Sequence, residues 1–83
     1  MNQKCSASLS NLQRCLDLLD QSYSREDIST DDVMTISHAR AQCTEFIAFV
    51  EQLSTSTNLQ PNQISLLEQI DEYSGLIQSE LGN

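Results

Sequence analysis

His38 is the only histidine of the chain, and Cys5, Cys15 and Cys43 are its three thiols. Residues of these types could pair a general base with a nucleophile, or hold a zinc ion. Their spacing supports neither. On a helix, the neighbours of His38 one turn away are Met34 and Gln42, while Cys43 points about 140° aside. A base needs a nucleophile or a second titrating group beside it. Zinc needs four ligands, and one histidine with thiols that form no C-x-x-C pair supplies three at best.

The carboxylates are equally unproductive as chemistry. In Asp31-Asp32 and Asp71-Glu72 the two side chains are adjacent in sequence, so on a helix they point about 100° apart and cannot share a proton. Asp17 and Asp20 are three residues apart and share a face, and with Asp31 and Asp32 they are expected to form an acidic girdle. The two glycines, Gly75 and Gly82, make no phosphate-cradling loop. No catalytic, cofactor or metal residue is therefore expected, and the chain reads as a non-enzyme.

What must position these side chains is a set of helices. Cys5, Leu9, Leu12, Leu16, Leu19 and Tyr23 alternate by four and three, which keeps one stripe on one face from about 5 to 23. Ser29 followed by Asp32 marks a second start, where Asp31 and Asp32 suit the positive end of a helix dipole. Ile36, Ala39, Cys43, Phe46, Val50 and Leu53 continue that helix from about 30 to 53, until QLSTSTN offers hydroxyls that compete for its backbone. Gln60 as N-cap puts Pro61 at the first helical position of a third helix, about 61 to 81, with Leu66, Leu67, Ile70, Tyr73, Ile77 and Leu81 inward. Gly75 inside it suggests a tight helix crossing or early fraying.

Short connections between long amphipathic segments predict an all-α fold, an antiparallel three-helix up-down-up bundle with coiled-coil-like heptad packing, in a single domain over residues 1–83. In that arrangement Cys15 and Cys43 are offset by about one helical pitch, so no disulfide is expected between them. An odd number of cysteines, no apolar leader in MNQKCSASLSN and no membrane-length apolar run place the chain in a reducing cytosol.

Twelve acidic residues against four basic ones give a net charge of −8, and Lys4, Arg14, Arg25 and Arg40 all precede residue 41. Such a chain repels phosphate backbones and anionic lipid, so no direct nucleic-acid or membrane contact is expected. A partner protein with a basic or apolar helical surface is the complement. The run FIAFV, Phe46 to Val50, gives the second helix an apolar arc about 160° wide. Two neighbouring helices would cover most of it, leaving Phe49 at its edge for a partner or a second copy. Leu18 and Leu76 also fall off their stripes and could join Phe49 in one patch bordered by acid.

In architecture and composition the chain resembles small acidic helical proteins of two kinds. One is the type III and flagellar export chaperones, whose terminal helix the ending SLLEQIDEYSGLIQSELGN is similar to. The other is phage-encoded inhibitors of the anti-sigma and anti-CRISPR type. Neither resemblance carries a residue over. They imply a helical adaptor or chaperone-like protein that modulates another protein by helix packing or, alternatively, an acidic inhibitor that occupies a basic nucleic-acid-binding surface of its target. A homodimer is expected ahead of a monomer, because thin helices leave apolar surface to hide.

Overall fold

In the computed structural model, which describes residues 3–56 and 58–82, the chain forms α1 (Gln3–Tyr23), α2 (Thr30–Leu53) and α3 (Pro61–Leu81), with no strand among the described residues. The local signals set these boundaries. Ser29 Oγ accepts the Asp32 backbone N–H at 3.1 Å, which caps α2. At its other end the hydroxyls of Ser54 and Thr55 donate to the carbonyls of Glu51 (2.6 Å) and Gln52 (2.8 Å), so the Ser/Thr patch satisfies carbonyls of the final turn. Thr57, the last residue of that patch, lies outside the described residues. Helix α3 opens on Pro61, and Gln63 Oε1 accepts the Gln60 backbone N–H at 2.8 Å.

Contacts between helices fix their directions. Ser8 Oγ donates to Asp71 Oδ1 at 2.8 Å, the Cys15 thiol to the Ser74 carbonyl at 3.4 Å, and Leu18 Cδ1 comes near Gly82. Advance along α1 is thus advance along α3, and the two are parallel. Asp20 pairs with Arg40 at 2.7 Å while Cys15 neighbours Cys43, so α1 and α2 run antiparallel. The result is the up-down-up bundle. It is elongated, 46 × 21 × 18 Å, with a radius of gyration of 13.8 Å where a spherical chain of this length has about 12 Å.

One expectation about packing fails. The helix that touches both neighbours is α1 and not α2, for α1 packs along both α2 and α3 while α2 and α3 scarcely meet. Helix α1 accordingly buries Cys5, Ser8, Leu12, Cys15, Leu19 and Ser22. Leu9 and Leu16 are only half-buried, and Tyr23, expected inside, is 50% exposed. The stripe is turned toward α3 by serines that apolar periodicity does not count. Leu66, also expected inside, is 41% exposed.

The register of α1 on α2 corrects another expectation. Cys15 and Cys43 lie level with each other and not a pitch apart, because α2 begins beyond the end of α1 and its first turn overhangs the 24–29 connection. Both thiols are free. Gly75 marks neither a crossing nor a frayed end. Nothing lies within 4 Å of the place a Cβ would take, and α3 continues to Leu81.

Two stability measurements check this packing. Gly75→Ala should raise the unfolding free energy by up to about 1 kcal/mol, since it adds helix propensity without a clash. Leu12→Ala, at a fully buried position, should lower it by about 2 to 5 kcal/mol. Urea titrations read both, and a destabilising Gly75→Ala would show that something crowds that face of α3.

Candidate protein-binding groove and the thiol core beneath it

Because α2 and α3 both lean on α1 but scarcely on each other, a groove opens between them on the side away from α1. Its walls are Gln42, Glu45, Phe46 and Phe49 of α2 and Leu66, Gln69, Ile70 and Tyr73 of α3, around a volume of about 480 Å³. Each wall is a set of residues at i, i+3, i+4 and i+7, the spacing of one helical face, and each spans about 10 Å of helix axis. The rings of Phe46 and Tyr73 meet edge to face across it, centroids 5.4 Å apart at 84°. This aromatic pair bridges α2 and α3.

Below the bridge lies a core of small polar groups and thiols. Cys15 and Cys43 are fully buried and within hydrogen-bonding reach of each other. The Cys15 sulfur also receives the Gln78 side-chain amide at 3.9 Å, and Ser74 Oγ donates back to the Ile70 carbonyl at 3.0 Å. Burial pushes the Cys43 thiol up to about 11, helped by the charge and hydrogen bond of Cys15. Burial raises Cys15 too, against the hydrogen bonds of Ser74 and Gln78. Tyr73 is raised by burial and then by the two thiols. These thiols are held protonated and covered, which is structural chemistry. Reactive cysteines are exposed and kept as thiolates.

The residues singled out from sequence are distributed as follows. Phe49 lies in the groove, half-buried. Leu76 is 62% exposed and follows Gln69 and Tyr73 on the same side of α3, at the groove's shoulder. Leu18 is half-buried in the seam between α1 and the end of α3, so it does not join the other two in one patch. Asp17 is exposed on α1, and Asp20 is engaged by Arg40. Asp31 and Asp32 are exposed on the first turn of α2, about 13 Å of helix away from Arg40, so the four aspartates do not close into a girdle. His38 is exposed, in a shallow hollow with Asp31, Met34 and Thr35. Among the described residues no three His, Cys, Asp or Glu side chains could jointly hold a metal ion.

Sequence reasoning placed Leu66 inward where it is exposed, and did not foresee that Phe46, Gln69 and Tyr73 line a groove, although Phe46 and Tyr73 do pack half-buried against the core. The signal that could have found them is the width of the apolar arc on α2, had its excess been assigned to a space between helices. Among the described residues, no helix is long and apolar enough to cross a membrane. Compared with known families, curated proteins and solved structures, the chain matches none.

The thiol core carries a pH prediction. The folded pKa of Cys43, about 11, exceeds its ordinary 9.0, so the native state holds that proton more tightly than the unfolded chain. Its contribution to stability is complete below about pH 9 and lost as pH rises through about 11, at no more than about 1.4 kcal/mol per pH unit. Cys15 shifts the same way. Urea midpoints measured from pH 7 to 11 should fall above pH 9, and the fall should shrink in Cys43→Ala. A midpoint flat to pH 11 would contradict the burial of this pair.

Proposed function

We propose that this chain is a small helical adaptor, chaperone-like in its mode of action, that binds another protein by taking one of its helices into the groove between α2 and α3. The observation that carries this reading is the incomplete packing of the bundle. Phe46, Phe49, Leu66 and Tyr73 present apolar surface at helical spacing on two walls that face each other, whose backbones stay apart while the Phe46 and Tyr73 rings meet. A helix laid between them would contact α2 and α3 as α1 does from the other side, turning three helices into four.

The apolar walls, with Glu45 as their charged residue, favour binding as the role of this groove. Three free, buried thiols favour work in a reducing compartment, the cytosol. The acidic-inhibitor reading draws on the −8 charge alone, and it differs in its dependence on salt.

The test is capture from native lysate through a photo-crosslinking amino acid at Leu66, in parallel with one at Gln13 on the exposed side of α1. We expect a partner that crosslinks through Leu66 but not Gln13, persists in about 0.5 M NaCl because apolar packing is little screened, and is lost with Phe49→Asp. A partner captured equally well by the Phe49→Asp variant and released by salt would favour the carboxylate surface instead.

A further inference from the structure

The charges around the groove specify more than a helix. We infer that the occupant is an amphipathic α-helix whose apolar stripe is flanked by Lys and Arg, a deepening that rests on the groove reading above. Beyond residue 40 the chain has no basic residue, so α3 and the part of α2 that walls the groove carry only carboxylates. Glu45 stands on the α2 wall itself. Arg40, the only cation of α2, points about 180° away from Phe49 and is held by Asp20 on the far side of the helix.

The groove face is also polarised along its length. Toward the start of α2 it gives way to Asp31 beside His38, and at the end of the bundle Glu80 shares a hollow with Asp32 and with Ser22 of α1. That second hollow includes Asp27 and Arg25 as well, so its carboxylates outnumber its one cation. A partner helix therefore meets apolar walls at the Phe49 and Leu66 end and carboxylates at Glu45 and beyond. Its anchors at i, i+3, i+4 and i+7 fit the walls, and cations beside and beyond them meet Glu45, Asp31, Asp32 and Glu80.

A second copy of this chain is a poor occupant. Outside the groove walls, the large hydrophobics it leaves most exposed, Tyr23, Met34 and Leu76, lie one on each helix and offer no stripe for a groove to take. It would also bring a further −8 to an interface already lined with acid.

Three synthetic helical peptides that share one apolar i, i+3, i+4, i+7 stripe and differ only in having Lys/Arg, Gln or Glu on its flanks separate the possibilities. Binding of each to the full chain is followed by fluorescence anisotropy in about 0.05 and 0.5 M NaCl. The expected order is basic tighter than neutral tighter than acidic, with about tenfold or more between the extremes at low salt, narrowing at high salt and in Glu45→Gln. Phe49→Ala and Leu66→Ala, each checked for helicity by circular dichroism, should weaken all three peptides. Equal affinities for the three, still sensitive to Phe49→Ala, would overturn the basic helix and leave the groove reading intact. No binding by any peptide, or sedimentation as a dimer that Phe49→Ala dissociates, would overturn both.

Discussion

Two helices approach closely where facing side chains are small, and the side of α1 that meets α3 includes several such residues. Ser8, Cys15 and Ser22 are buried there, with Ser74 opposite. Their polar atoms are not left orphaned, since Ser8 reaches Asp71, Cys15 reaches the Ser74 carbonyl and Ser74 bonds back along its own helix. These small residues share the seam with Leu67 and Ile70 of α3, which are buried in the same core as Leu12 and Leu19 of α1. The larger side chains of α3 therefore divide between two directions, with Leu67 buried in the core and Leu66 and Tyr73 lining the groove with α2. The groove is the remainder of that division.

Electrostatics follows the same layout. The four cations lie on α1, the 24–29 connection and the outer side of α2, where Arg40 meets Asp20. An exposed ion pair of this kind adds little stability, typically below about 1 kcal/mol. Its larger effect is directional, because it holds Arg40 away from the groove walls, whose charged residue is Glu45. Apolar contact sets how strongly such a groove holds a helix, and the surrounding charge sets which helices it accepts.

The ends of the helices were legible in the sequence because each is written in a few adjacent residues. Ser29 with Asp32, the hydroxyls after Leu53, and Gln60 with Pro61 and Gln63 act locally and depend on no distant partner. The faces were less legible. A periodicity count that admits only apolar residues cannot see Ser8, Ser22 and Ser74, so it turned α1 toward Leu9, Leu16 and Tyr23. It also took α2 for the shared helix, since an apolar arc about 160° wide is what a helix with two neighbours needs. Phe49 was recognisable as an edge residue from its angle alone. Leu66 and Tyr73 were not, because stripes that line a groove and stripes that line a core have the same spacing.

The arrangement of contacts also makes the three helices unequal in how they can come apart. Removing α1 breaks two interfaces and leaves α2 and α3 with the smallest of the three, which includes the Phe46 and Tyr73 contact, whereas α3 can lift away while the larger α1–α2 interface stays intact. Helices α1 and α2 are joined by a short connection and form a hairpin of local contacts, while α3 reaches α1 across more than sixty residues, as in Ser8 to Asp71. Hairpin first and third helix last is then the cheaper order of assembly in chain entropy. The amides of α3 should be the first to trade protons with solvent, and a helix bound across the groove would slow that exchange by holding α3 to α2 as well as to α1.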